Sequence, residues 1–117
     1  MAAVAAGATA AGGLVIGVRP DSDRAGGCDG LSAVLYTNLG EARNAIIVAS
    51  ADAVVVIGGS WGTLSELALA RARQTPVVSL GGWRVSAADG TPVDTGIRLA
   101  QNAESAVAQA LSATGGD

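Results

Sequence analysis

The chain has 117 residues, a length that suits one domain with a single hydrophobic core. Its formal net charge is −3, and its seven cationic side chains are all arginines, scattered along the sequence rather than clustered. Binding to a nucleic-acid backbone requires a basic surface, so we expect no nucleic-acid partner. Histidine is absent, which excludes serine-hydrolase triads and most zinc sites, and we assign no metal site.

Half of the residues are hydrophobic but only three are aromatic, so the core is expected to consist of Val, Ile, Leu and Ala. No apolar run reaches the ~18 residues of a membrane span, and we expect no membrane association. The alanine-rich residues 1–11 lack the basic start of a signal peptide. The single cysteine, Cys28, cannot form an internal disulfide and is interpreted as an inert thiol, so a cytoplasmic protein is the simplest interpretation.

Helices and strands alternate along the sequence. In chain order, the patterns predict a helix at 1–11 that ends at Gly12 and Gly13, strands at 14–18 and 31–37, a helix at 41–50, a strand at 53–57, a helix at 63–73, a strand at 76–80, a loop at 81–96 with a turn at Asp89 and Gly90, a strand at 97–100, and a helix from Asn102 through Leu111. This order predicts an α/β fold, an open parallel sheet with helices on both faces in three layers. We expect a single domain over residues 1–117.

A glycine-rich turn stands between the most apolar strand and the helix that follows it. Residues 53–57 are a β-branched run without polar alternation, which predicts a strand buried on both faces. A strand that passes through glycines into a helix N-terminus presents backbone N–H groups, and these favour an anion, most often a phosphate. We call residues 58–63 the glycine turn. The predicted ligand-binding residues of the turn are Gly58, Gly59, Ser60, Trp61, Gly62 and Thr63.

Arg43 is a second candidate for phosphate binding. The carboxyl ends of parallel strands meet at one edge of a sheet, so the helices at 41–50 and 63–73 should direct their N-termini toward one crevice. Arg43 lies in the first turn of its helix and can hold a phosphate through two hydrogen bonds. The alternative is a surface arginine that pairs with Glu41 or Asp52.

Three residues near the turn have two interpretations each. Thr63 and Glu66 have the spacing of a helix capping box; alternatively, the Thr63 hydroxyl and the amides of Gly62 and Thr63 bind phosphate, with Glu66 beside a sugar. Trp61 either stacks on a flat ligand ring or packs against a neighbouring subunit. The turn is not a Walker turn, because the chain has no lysine to reach the phosphates.

Two motifs carry a family resemblance. Residues 58–66, Gly-Gly-Ser-Trp-Gly-Thr-Leu-Ser-Glu, resemble the Pro-Gly-Gly-x-Gly-Thr-x-x-Glu signature of the LOG (Lonely Guy) family, which was long misannotated as lysine decarboxylases. Residues 40–44, Gly-Glu-Ala-Arg-Asn, resemble that family's second motif. The resemblance covers nearly the whole chain and implies a Rossmann-like fold. In a hydrolase of this family, Arg43 and Glu66 would be the catalytic residues.

Two departures from the signature resemble a particular branch of that superfamily. Asn44 stands where the hydrolases have lysine, and Ile57 stands where the signature has proline. Both are closer to the molybdenum cofactor carrier-like branch, which is not known as a hydrolase. The resemblance implies that Arg43 and Asn44 join the ligand-binding residues and that molybdenum cofactor is a possible bound ligand. No other cofactor is implied.

The resemblance also bears on where the chain starts. Family members begin with a strand and a glycine-rich turn, and Met1 resembles an internal methionine of that region. We therefore expect a chain that lacks the usual N-terminal strand, helix and strand. Such a chain would expose a strand edge and apolar faces, which favours a homo-oligomer.

Three functions remain open at this point. The first is a binding protein that holds a small phosphorylated ligand of nucleotide or pterin type at the glycine turn. The second is an enzyme, a nucleoside 5′-monophosphate phosphoribohydrolase, in which Glu66 would stabilise the ribosyl centre during cleavage of the N-glycosidic bond. The third is a structural remnant that binds nothing.

Overall fold

The computed structural model describes residues 1–26, 30–93 and 96–115, and Cys28 lies outside these ranges. The elements are helix α1 (Ala2–Ala10), strands β1 (Ile16–Arg19) and β2 (Ala33–Tyr36), a 3-10 turn (Gly40–Ala42), helix α2 (Arg43–Ala49), strand β3 (Val54–Ile57), helix α3 (Trp61–Ala72), strands β4 (Val77–Leu80) and β5 (Arg98–Ala100), and helix α4 (Ala103–Ala113). Every predicted helix and strand is present, with ends shifted by at most two residues. No helix among the described residues is long and apolar enough to cross a bilayer.

All strand pairs in the two sheets are parallel, which confirms the predicted α/β class. Hydrogen bonds join β1 to β2 in one sheet and β3, β4 and β5, in that order, in a second sheet. The sequence predicts one sheet, whereas the described residues form two. Apolar runs in a sequence identify strands but do not show which strands pair. Each sheet lies in one of two compact units, Met1–Arg43 and Asn44–Asp117.

The unit Met1–Arg43 contains α1 and the two-stranded sheet. β1 and β2 pair with Ile16 beside Ala33. α1 is followed by Gly12 at a φ of 81°, which confirms the predicted stop. Arg19, the last residue of β1, forms a salt bridge with Asp21 at 2.8 Å. This hydrogen-bonded guanidinium lowers the pKa of the Asp21 carboxyl below its ordinary value.

The unit Asn44–Asp117 has helices on both faces of its three-stranded sheet, as predicted. The first face of the sheet packs on α2 and α3, and the second face packs on α4. Val77 and Val78 of the central strand β4 face opposite sides, and both are buried, at 1% and 0% exposure. The first core cluster consists of Val48, Val54, Val56, Leu67, Ala70, Val77 and Ile97, and the second of Val78, Ala100 and Ala106.

The prediction that β3 is buried on both faces is wrong. Val54 and Val56 are buried, but Val55 and Ile57, on the alternate face, are 37% and 55% exposed. β3 lies at the edge of the three-stranded sheet, and α4 packs mainly on β4 and β5. The doubly buried strand is therefore β4.

Two further local predictions are confirmed. In the loop after β4, Ser86 and Pro92 form an antiparallel bridge around a turn in which Gly90 has a φ of 88°. At the start of α4, the Asn102 side chain accepts a hydrogen bond from the Ser105 amide at 2.8 Å. Both features follow from local side-chain and backbone preferences, which a sequence shows directly.

Replacing the Asn102 cap tests this local reasoning. Asn102→Ala should lower the free energy of unfolding by about 1 kcal/mol, because the Ser105 amide loses its acceptor. Asn102→Ser, which supplies another capping oxygen, should change it by much less. Chemical denaturation of the three proteins measures both values, and equal loss in the two variants would contradict the capping role.

Candidate functional site

The candidate site lies within the unit Asn44–Asp117, where the glycine turn joins β3 to α3. Gly58 has a φ of 83°, a left-handed conformation that favours glycine, and its amide donates to the Leu80 carbonyl at 3.2 Å. Ser60 is extended, with φ −71° and ψ 162°, and α3 begins at the next residue, Trp61. The turn therefore leads directly from the edge of the sheet into the N-terminus of a 12-residue helix.

Ser60 caps this helix. Its Oγ accepts a hydrogen bond from the Thr63 amide at 3.1 Å, and it lies 2.7 Å from the Thr63 Oγ1, with which it shares a second hydrogen bond. The predicted capping box of Thr63 and Glu66 is therefore wrong, because the helix starts two residues earlier than expected. Glu66 lies in the second turn of α3 and is partly buried.

This capping changes which amides are suited to an anion. The Thr63 amide already donates a hydrogen bond to the Ser60 side chain. The sequence alone assigns this amide to the phosphate. Trp61 and Gly62 are the first two residues of α3, and amides in a first helical turn have no carbonyl one turn earlier to bind. The N-terminus of α3 therefore directs the Trp61 and Gly62 amides and the positive end of the helix dipole toward the turn.

The loop that follows β4 touches the glycine turn through its backbone. Gly81 and Gly82 have φ values of 71° and 101°. A Cβ atom on Gly82 would collide with the Gly58 carbonyl oxygen and lie 2.7 Å from the Gly58 carbonyl carbon. A Cβ on Gly59 would lie 3.5 Å from the Gly82 Cα. This close approach needs glycine at position 82 and fixes the two loops against each other.

A pair of tryptophans joins the same two loops. The Trp83 Nε1 donates to the Ser60 carbonyl at 2.8 Å. The Trp61 and Trp83 rings have their centroids 4.9 Å apart and are tilted by 40°. We call these two residues the tryptophan pair. Sequence reasoning missed Trp83 as a partner of the glycine turn. The available signal was that each tryptophan of the chain follows a predicted strand, and the carboxyl ends of parallel strands meet at one edge.

A shallow depression of about 250 Å³ continues this edge of the sheet. It is lined by the residues that follow β4, among them Gly82, Trp83 and Arg84, and by Gln101, which follows β5. In open parallel sheets, ligands bind outside the carboxyl ends of the strands, and this is that edge. The glycine turn, the tryptophan pair and the depression therefore form one candidate site.

A second depression, of about 660 Å³, lies at the other end of the same sheet. It is lined by Asp52 and Pro76, which precede β3 and β4, and by Ala113, the last residue of α4, with Thr114 and Gly115. The C-terminus of a helix carries the negative end of its dipole, and Asp52 adds a carboxylate. This end of the unit therefore disfavours a phosphorylated ligand.

The two remaining predicted residues lie in different units. The Arg43 Nη1 donates to the Val18 carbonyl at 2.6 Å within the unit Met1–Arg43. Asn44 is 2% exposed, and its Nδ2 donates to the Ser65 Oγ at 3.0 Å, which connects α2 to α3. Ligand binding by Arg43 and Asn44 stays a prediction. Across the described residues, no three acidic or cysteine side chains gather where they could hold a metal ion.

Comparison with known proteins places the chain in a family. The model of the SLOG cluster4 family matches residues 1–109. The chain belongs to the SLOG cluster4 family. An uncharacterized protein of Archaeoglobus fulgidus is 35% identical over 115 residues, which are 97% of this chain and 70% of the relative.

Solved structures resemble this SLOG cluster4 protein over most of its length. The molybdenum cofactor binding protein from the phototrophic bacterium Rippkaea orientalis matches with a TM-score of 0.81 and 32% identity, over 96% of this chain and 69% of that chain. An X-ray structure from a structural genomics consortium matches with a TM-score of 0.76 and 34% identity, over 92% of this chain and 69% of that chain. These matches confirm the Rossmann-like fold and the predicted superfamily.

Proposed function

We propose that this SLOG cluster4 protein binds a small phosphorylated ligand of nucleotide or pterin type at the glycine turn. The observation that carries the proposal is the direct passage from β3 through the turn into the capped N-terminus of α3. The structural match to a molybdenum cofactor binding protein supports ligand binding as the function. The same comparison favours molybdenum cofactor as the ligand, because this cofactor combines a pterin ring with a phosphate.

In this proposal the phosphate binds the amides of Trp61 and Gly62. Hydrogen bonds to a charged group contribute about 1.5–3 kcal/mol each, and the helix dipole adds about 0.3–1 kcal/mol. The Ser60 cap holds the first turn of α3 in place before the ligand arrives. Gly58 lets the backbone adopt a positive φ that a side chain would strain.

Calorimetric titration of the full chain tests the proposal. Adenosine 5′-monophosphate (AMP) should bind with one-to-one stoichiometry, and adenosine, which has the same ring and sugar without the phosphate, should bind at least about a hundred-fold more weakly. Equal affinity for the two ligands, or no heat with AMP, ribose 5-phosphate or a phosphorylated pterin, would contradict a phosphate site at the turn.

Analysis of the AMP recovered after the same titration distinguishes binding from hydrolysis. The position of Glu66 in the second turn of α3, three residues after the glycine turn, is the observation that favours the alternative enzyme. A phosphoribohydrolase would release adenine from AMP, and Glu66→Ala would abolish the release. For a binding protein we expect AMP to be recovered intact, so adenine release that depends on Glu66 would replace the binding proposal with the enzymatic one.

A further inference from the structure

We propose that the tryptophan pair recognises the aromatic ring of the ligand and selects fused two-ring heteroaromatic groups, such as a purine or a pterin, over sugar phosphates that carry no aromatic group. This inference rests on the proposed function, because it concerns the same bound molecule. It assigns Trp61 as the residue that stacks on the ring and Trp83 as the residue that positions Trp61.

Exposure of Trp61 is the first observation. Its side chain is 75% exposed, although tryptophan is among the residues that gain most from burial. The chain contains only three aromatic residues, and two of them meet at the carboxyl edge of the three-stranded sheet. A large aromatic surface that is held at the site but left in contact with solvent is suited to stacking on a flat ligand.

The second observation is that protein contacts fix the position of Trp83. Trp83 is half-buried, and its Nε1 donates to the Ser60 carbonyl at 2.8 Å. It follows Gly82, whose backbone lies against Gly58. Trp83 is therefore fixed by one hydrogen bond and by the contact between the loops, and its ring in turn contacts Trp61. A side chain that is ordered before binding loses less conformational entropy when the ligand arrives.

The sequence position of Trp61 gives the third observation. Trp61 is the first residue of α3, so one residue supplies both a phosphate-binding amide and a stacking ring. A ligand that carries a phosphate and a ring on a short connecting group can contact both. Stacking on an indole buries flat apolar surface, so a ring with a larger flat area gains more from the contact. Purines and pterins have a larger flat area than single rings.

The experiment compares AMP with ribose 5-phosphate, which has the phosphate and the sugar but no heteroaromatic base. Trp61 and Trp83 are the only tryptophans in the chain, so fluorescence excited at a wavelength that tyrosine does not absorb reports on this pair alone. AMP should quench the emission and bind about ten-fold to a hundred-fold more tightly than ribose 5-phosphate, the range that stacking of a base on an aromatic side chain contributes.

Two variants separate stacking from positioning. Trp61→Leu keeps the phosphate-binding amide but removes the indole, so it should weaken AMP binding about ten-fold to a hundred-fold and ribose 5-phosphate binding by a much smaller factor. Trp83→Phe keeps an aromatic ring but removes the indole donor to Ser60, so it should weaken AMP binding by about two-fold to ten-fold, and ribose 5-phosphate binding by less. Calorimetry supplies the affinities, and thermal unfolding confirms that both variants fold.

Each outcome decides the inference. Equal affinities for AMP and ribose 5-phosphate in the unmodified protein would overturn ring recognition while the phosphate site stands. Trp61→Leu that weakens both ligands by the same factor would show that Trp61 supports the turn and does not stack. If no phosphorylated ligand binds, the proposed function fails, and ring recognition fails with it.

Discussion

Ser60→Asp is expected to abolish the binding of phosphorylated ligands without destabilising the protein. Aspartate is as good an N-cap residue as serine. Its carboxylate can accept hydrogen bonds from the Thr63 amide and hydroxyl in place of the Ser60 Oγ. A negative charge at a helix N-terminus is stabilising by about 0.3–1 kcal/mol. The same charge about 4 Å from a phosphate would oppose binding by about 4 kcal/mol per unit charge near a protein surface. We expect at least a hundred-fold weaker binding of AMP, with an unchanged or raised melting temperature.

Two matched variants control this experiment. Ser60→Asn has the size and capping ability of aspartate without the charge, so its affinity for AMP should stay within a few-fold of the original. Thr114→Asp adds the same charge at the other end of the three-stranded sheet, and its affinity for AMP should also stay close to the original. The account fails if Ser60→Asp binds AMP as well as Ser60→Asn does.

Gly82→Ala is expected to lower the free energy of unfolding by about 2–5 kcal/mol. The added Cβ would overlap the Gly58 carbonyl, so the loops after β3 and β4 would have to separate. Overpacking of this kind costs about 1–3 kcal/mol, and the positive φ of 101° adds about 1–2 kcal/mol for a residue with a side chain. Denaturant titration measures the change.

The adjacent glycine provides the control for this substitution. Gly81 also has a positive φ, of 71°, but a Cβ there would meet nothing within 4 Å. Gly81→Ala should therefore show only the conformational cost, about 1–2 kcal/mol. If the two variants lose equal stability, the contact between Gly82 and Gly58 does not hold the loops together.

The fold was largely predictable from the sequence because its signals are local. Glycines end α1, asparagine caps α4, and β-branched runs form β3 and begin β4. The burial of each strand was less predictable. The run at 53–57 is more uniformly apolar than the one at 76–80, yet β3 lies at the edge and β4 in the centre. Position within a sheet depends on pairing between distant segments, which one sequence does not show.

The chemistry of the site was predictable in kind but not in detail. The glycines and the following helix indicated an anion-binding turn, but Ser60 and Thr63 are both capping residues, and only the backbone conformation shows which one caps α3. Trp83 was missed because its contact with Trp61 spans 22 positions in the chain and depends on two loops meeting. The burial of Asn44 against Ser65 was not predictable either, because it depends on the packing of α2 against α3.

The most direct test of the phosphate site is an NMR titration of the isotopically labelled full chain with AMP. The account predicts that the backbone amide signals of Trp61 and Gly62 shift most, that the Trp83 indole signal shifts with them, and that all three follow one binding curve. Shifts concentrated instead at Asp52 and Thr114, in the depression at the other end of the sheet, would contradict it.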